Sequence, residues 1–275
     1  MKKLLIVAAL AWSTVQAAEY RGSYALYDYT SKSYVAQQDR NQVRPMASIT
    51  KLFTAITVLN SGQSLDQLVK VTGRSRGHVP LNSWITRRDL LRSMLISSDN
   101  LAAESLAHAY PGGFDQFIVA ANHHIQSLGL INTRIEDSTG LSQANVTTVS
   151  ELVVFLDSIR NQVIIRSIAA ERTALFKVPR GKRTIKISVR NTNPDLFVYD
   201  NILITKTGFT NPAGRCLLML VDRRHQEYAV VILGQPTVKT RSHLVNVLLN
   251  VDLDIIDPIP TINTPVNFAP FLPPQ

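Results

Sequence analysis

The sequence predicts an α+β fold: an antiparallel sheet, drawn from both ends of the chain, flanked by helices and split by a long helical insertion. Three observations carry this reading. Near the N-terminus apolar and polar residues alternate with the two-residue period of half-buried strands. From about residue 64 to residue 166 the period lengthens to that of helices. After about Thr173, β-branched and aliphatic runs bounded by Gly, Pro, Asn or charged turns return the pattern to strands.

Residues 22–29 and 34–38 read as the first strand pair, around a turn at 29–32. In the helix that follows, Pro45 falls where a first-turn proline is tolerated, and Ile49, Leu52, Phe53, Ile56 and Leu59 recur as one buried face. Within the insertion, helices are expected over 87–96, 101–110, 113–128 and 150–159, with Asn100 and Ser150 as the residues that start two of them. Strands over 173–178, 184–189, 202–207, 216–221 and 228–233 are expected to form one antiparallel sheet, closed by a helix over 239–250. The sheet part thus comprises about 18–62 and 170–255, and the helical part about 63–169. Six of the thirteen prolines fall in residues 257–275, so 256–275 reads as an extended proline-rich tail.

A chain of 275 residues with 45% hydrophobic residues buries a sizeable core, which excludes a disordered chain. The net charge of +9 suits an anionic partner. Its basic residues, in short clusters such as Arg87-Arg88, Arg180 to Arg183 and Arg223-Arg224, are spread along the chain without a nucleic-acid motif, so no nucleic acid is expected to bind. Lys2 and Lys3, the apolar run from Leu4 to Trp12, and the small-x-small site Val15-Gln16-Ala17 make residues 1–17 a signal peptide cleaved near Ala17/Ala18. The expected destination is the periplasm. Without Lys2 and Lys3 the chain keeps 27 basic against 20 acidic residues, a net +7.

Cys216 is the only cysteine, which excludes an intramolecular disulfide, and its apolar surroundings in sequence suit a small buried hydrophobe. No cysteine follows the signal peptide to carry lipid and no later apolar run is long enough to span a bilayer, so no membrane anchor is expected. His123 and His124 are adjacent on a helix and point to different sides, and no His-Glu-x-x-His spacing exists; neither metal nor other cofactor is expected.

Three short elements carry the chemistry: Ser48-Ile49-Thr50-Lys51, Ser98-Asp99-Asn100 and Lys206-Thr207-Gly208. Singly each is weak, but all three in this order arise by chance only at roughly the one-in-a-thousand level. A serine and a lysine three apart at a helix start lie on neighbouring sides of one turn, so the amine of Lys51 can reach the hydroxyl of Ser48. Lys51 serves as a base only when neutral, and burial, with Lys206 as a second cation, would lower its pKa. Ser98-Asp99-Asn100 falls in a break between helices, where Ser98 can relay a proton to a leaving amine and Asn100 can hold Lys51 or a substrate amide. Lys206-Thr207-Gly208 ends a predicted strand, whose backbone could pair with an extended peptide while Gly208 lets it come close.

Together these elements resemble the signature of penicillin-binding proteins and class A β-lactamases. Tyr24-Ala25-Leu26, Pro45-Met46-Ala47-Ser48, Asp137-Ser138-Thr139-Gly140-Leu141 and Lys206-Thr207-Gly208-Phe209-Thr210 followed by Ala213-Gly214 are similar to low-molecular-mass penicillin-binding proteins, over most of residues 20 to 250. The resemblance implies a β-lactamase/D,D-peptidase-like fold. It also implies a serine D,D-peptidase that acts on peptidoglycan peptide stems through an acyl-enzyme on Ser48, with backbone N–H groups of Ser48 and Phe209 as the oxyanion hole and β-lactams as covalent inhibitors. A class A β-lactamase would need a water-activating Glu-x-x-x-Asn loop; here that stretch reads Glu136-Asp137-Ser138-Thr139-Gly140, without the asparagine. Slow release of bound penicillin is expected. A non-catalytic wall-binding or β-lactam-sensing domain is the rival from another class, and the complete set of motifs argues against it.

Carboxypeptidases of this family commonly add a β-rich domain and a C-terminal amphipathic membrane helix. Here 67 residues follow Gly208, room for two strands, a helix and a proline-rich remainder without a basic amphipathic stretch. The chain therefore resembles the short penicillin-binding protein 7 type, whose members are D,D-endopeptidases. Cleavage of D-alanyl-diaminopimelate cross-links is expected ahead of D-alanyl-D-alanine carboxypeptidase action.

Overall fold

A computed structural model describes residues 20–180 and 183–250; the expected signal peptide (1–17) and the expected proline-rich tail (256–275) lie outside the described residues. In chain order, β1 (Ser23–Asp28), β2 (Ser33–Gln38) and β3 (Arg44–Pro45) precede a 3-10 turn (Ala47–Ile49) and α1 (Thr50–Asn60). Next come β4 (Leu68–Lys70), β5 (Trp84–Thr86), α2 (Arg87–Ile96), α3 (Asn100–His108) and α4 (Gly113–Ser127). Then follow β6 (Val146–Thr147), α5 (Val149–Ile159), α6 (Val163–Ala169), β7 (Thr173–Arg180) and β8 (Arg183–Arg190). A short 3-10 turn (Pro194–Phe197), β9 (Ile202–Thr210), β10 (Gly214–Arg223), β11 (Gln226–Gln235) and α7 (Val238–Asn250) complete the described chain.

The main sheet is five-stranded in the order β2-β1-β11-β10-β9, with every pair antiparallel. Both ends of the chain feed it, as the sequence predicts. Successive residues of β10 point to opposite faces, so Leu218 and Leu220 join the core shared with the helices of the insertion, while Leu217, Met219 and Val221 pack with Leu244, Val245, Leu248 and Leu249 of α7. The result is three layers, and burial of both faces explains why β10 and β11 read as continuous apolar runs rather than alternating ones.

The sequence predicts one buried face for α1, but residues Thr50 to Val58 are all buried. This helix runs through the middle of the helical layers, and Phe53 stacks on Phe155 of α5 with ring centroids 3.7 Å apart. Pro45 stands outside the helix: it pairs with Val146 in the β3–β6 bridge. Asp99 and Thr148, not Asn100 and Ser150, cap α3 and α5, because their side chains accept from the N–H groups of Ala102 and Glu151.

Two expectations need correcting. The stretch from 64 to 86 is not helical but irregular chain around the β4–β5 pair, where Val69 and Ile85 supply the buried anchors. Among the described residues β7 and β8 pair only with each other and stand apart from the main sheet; Phe176, Val178, Ile187 and Val189 turn inwards, with β7 against α2 and β5. Alternation specifies a strand but not the sheet it joins.

Candidate active site

Ser48 sits in the 3-10 turn that leads into α1, half-buried, after Ala47 in the left-handed region (φ 48°). The turn is fixed from several sides. Thr50 Oγ1 donates to the Ala47 carbonyl (2.8 Å), and the buried Asn145 side chain donates to Thr50 Oγ1 (3.1 Å) while the Met46 N–H bonds the Asn145 carbonyl (3.0 Å). Gly140 (φ 84°) packs so close to the Ala47 carbonyl that no Cβ fits there.

Lys51 is buried, one helical turn from the serine, with its Nζ 2.9 Å from Ser48 Oγ, 2.7 Å from Asn100 Oδ1 and 2.6 Å from the Thr139 carbonyl oxygen. Burial lowers its pKa to about 7, against the opposing pull of the Asp137, Asp99 and Glu104 carboxylates. Near neutral pH a sizeable share of the amine is therefore uncharged. Asn100 Oδ1 and the Thr139 carbonyl can only accept, so they take the two hydrogens of the neutral amine and leave its lone pair for the Ser48 hydroxyl. This places an amine that can accept a proton against the Ser48 hydroxyl. Burial is the largest cause; the Lys206 amine is likewise held well below its usual range by burial, then by Lys51 and Arg241, and repulsion between the two amines opposes charge on both.

Ser98 stands in the break between α2 and α3 with φ 60°, a left-handed conformation unusual for serine. Its neighbour Asp99 locks that loop by accepting from the N–H groups of His78 (2.7 Å), Val79 (3.0 Å) and Ala102 (3.0 Å) and from Ser93 Oγ (2.9 Å). Across the cleft, buried Lys206 donates to Ser98 Oγ (3.0 Å) and to the Thr207 carbonyl (2.9 Å). Thr207 shares a 2.6 Å hydroxyl contact with Thr192.

β9 is an edge strand of the main sheet, packed beside the Ser48 turn. At Gly208 a Cβ would lie 2.9 Å from the Ser48 nitrogen and 3.0 Å from the Met46 carbonyl oxygen. The glycine thus lets β9 approach the nucleophile's own backbone, a closer reason for it than the approach of substrate. Gly208→Ala is expected to push strand and turn apart and to slow acylation about 100-fold with the fold retained, the cost of a misplacement near 1 Å; acylation kinetics beside a thermal melt check this. Phe209 follows on the strand, 44% exposed, with the Arg215 guanidinium 3.6 Å from its ring centre.

Ser48, Lys51 and Asn100 thus form one hydrogen-bonded group and Ser98 and Lys206 a second, the two joined by the Ser98-Asp99-Asn100 segment, with Thr207, Gly208 and Phe209 on the β9 side. The sequence missed the Thr139 carbonyl, which as a backbone group has no residue signature, and the bracing by Asn145 and Asp99. Asp137 accepts from the N–H groups of Thr139, Gly140 and Ser142 (each 2.6 Å) and so shapes the loop that presents that carbonyl. Glu136 is exposed at the surface. Cys216 is buried on β10 and its thiol pKa is pushed up to about 11 by burial, which suits a packing role. Among the described residues no group of three or more His, Cys, Asp or Glu side chains converges.

A buried lysine against a serine on a helix-leading turn, at the margin of an antiparallel sheet, is the arrangement expected of the class that joins penicillin-binding proteins and class A β-lactamases. The Streptomyces K15 DD-transpeptidase structure superposes with a TM-score of 0.78, covering 86% of this chain and 97% of that one at 23% identity, a likeness of fold. A D-alanyl-D-alanine endopeptidase of Escherichia coli is 40% identical over 77% of this chain and 70% of its own length. One of Pseudomonas aeruginosa is 38% identical over the same shares. A family model described as D-alanyl-D-alanine carboxypeptidase matches residues 12–237. The chain belongs to this D-alanyl-D-alanine carboxypeptidase family of serine D,D-peptidases.

Proposed function

We propose that this protein is a penicillin-sensitive D,D-endopeptidase that opens D-alanyl-diaminopimelate cross-links of peptidoglycan in the periplasm. The observation that carries the reading is the 2.9 Å approach of the buried Lys51 amine to Ser48 Oγ. Neutral Lys51 takes the Ser48 proton as Oγ bonds to the D-alanyl carbonyl carbon, and the backbone N–H groups of Ser48 and Phe209 hold the resulting oxyanion. As the tetrahedral species collapses, the carbon–nitrogen bond breaks and the amine leaves with a proton delivered through Ser98, which Lys206 orients. Water then hydrolyses the Ser48 ester. Asn100 keeps Lys51 in place, and the edge of β9 receives the extended peptide.

A β-lactam enters the same route, and its acyl group is released slowly, a reading supported by the exposed position of Glu136 away from any braced water-activating role. The endopeptidase bond is favoured by the names of the relatives at 40% and 38% identity. The family's description supports carboxypeptidase action as the second reading. Purified muropeptides decide between them: cross-linked dimers are expected to fall to monomers, whereas free D-alanine from pentapeptide monomers with dimers left intact would refute the endopeptidase assignment.

A further inference from the structure

The segment Gly73-Arg74-Ser75-Arg76-Gly77-His78, between β4 and β5, has no regular structure yet is fastened along its length to the start of α3. Glu104 of α3 accepts from the N–H groups of Arg74 (2.7 Å) and Ser75 (3.0 Å) and from Ser75 Oγ (2.6 Å). Asp99, the cap of the same helix, holds the N–H groups of His78 and Val79. A Cβ on Gly73 would run into the Glu104 side chain and one on Gly77 into that of Asp99, so the two glycines let the chain lie flat on the helix. Both carboxylates are thereby engaged on the inner side of the loop.

With Ser75 and the glycines turned to the helix, Arg74, Arg76 and His78 are exposed. Neither arginine has a carboxylate within 4.0 Å of its guanidinium among the described residues. The loop is tied to the reaction cleft at both ends. His78 Nδ1 lies 3.2 Å from the hydroxyl of Ser97, the residue before Ser98. Glu104 stands one turn along α3 from Asn100, which holds Lys51, and its charge reaches the Lys51 amine. Two guanidiniums without an ion pair are thus carried on a braced segment at the margin of the cleft. A guanidinium offers paired N–H donors that match a carboxylate, and a segment already held in place loses little freedom when it binds one.

We propose that Arg74 and Arg76 form a subsite for the carboxylates of a diaminopimelate-containing stem peptide, by which the enzyme recognises its substrate beyond the bond it cuts. This rests on the peptidoglycan reading above. The arginines touch no reacting atom; they set affinity for the stem, and a small β-lactam, which has no stem, does not use them.

Calorimetric titration with a purified cross-linked muropeptide dimer tests it, on Ser48→Ala protein so that the peptide stays whole. Adding Arg74→Gln and Arg76→Gln to that protein is expected to raise Kd about tenfold, two charge-assisted contacts at an exposed site, and the difference should shrink as salt rises. Arg74→Lys with Arg76→Lys should recover part of the loss, since the charge returns without the planar fork. A dimer whose carboxylates have been converted to amides should bind the arginine and glutamine proteins equally. In protein that keeps Ser48, the glutamine pair should leave the rate of penicillin acylation and the thermal midpoint unchanged. Equal Kd for the unmodified dimer with and without the arginines overturns the proposal, as does a loss that persists on the amidated dimer. Slowed acylation by penicillin overturns it too, because the loop would then act on the Ser98 segment and not on the stem. If the wild-type enzyme leaves dimers intact, the endopeptidase reading fails while the titrations still decide this one.

Discussion

Ser48→Ala is expected to abolish covalent labelling by penicillin and to lower muropeptide cleavage by about 10⁴-fold or more, the scale of losing a serine nucleophile. The side chain is half-buried and its hydrogen bond is to Lys51, which keeps two further acceptors, Asn100 Oδ1 and the Thr139 carbonyl, when the hydroxyl is gone. The fold should therefore survive, and a thermal melt beside the labelling gel separates lost chemistry from lost structure. Mass spectrometry of the wild-type adduct should place the penicilloyl group on the peptide that contains Ser48. Stoichiometric labelling of the alanine variant would remove Ser48 from the mechanism.

Lys51→Ala is expected to slow acylation by about 10²- to 10⁴-fold, the usual worth of a positioned general base. Lys51→Arg should fail as well, because a guanidinium keeps its charge but cannot shed a proton near neutral pH. The pH profile supplies the sign. Burial lowers the amine to about 7, so below that value it holds a proton and cannot accept one from Ser48. Acylation by penicillin should then fall about tenfold for each pH unit below 7 and level off above it. A flat profile from acid to alkaline pH, or an arginine variant of full activity, would point to another base.

Much of this arrangement was legible in the sequence, for stated reasons. The helix at Arg87–Ile96 shows its apolar spacing, and the strands at the two ends of the chain declare themselves by period. Ser48, Lys51, Ser98, Asn100 and Lys206 could be grouped because each needs a particular side chain. What stayed hidden depends on backbone or on partner choice. The Thr139 carbonyl could belong to any residue, and Asp99 acts through backbone N–H groups of a distant loop. β7 and β8 alternate like any half-buried strands, so nothing local tells that they pack on α2 instead of extending the main sheet. The burial of α1 on all sides depends on layers that assemble around it from far along the chain, and the role of Gly208 against the Ser48 turn depends on two segments 160 residues apart coming together.

The position of β9 at the rim of the sheet has a further consequence. An open sheet edge is a template on which other chains can add strands, the first step of aggregation. Here the Ser48 turn packs beside that edge, and the Thr207 hydroxyl meets that of Thr192. Chain packed against the rim in this way hinders a second sheet from adding to it, and so guards the folded protein against its own kind.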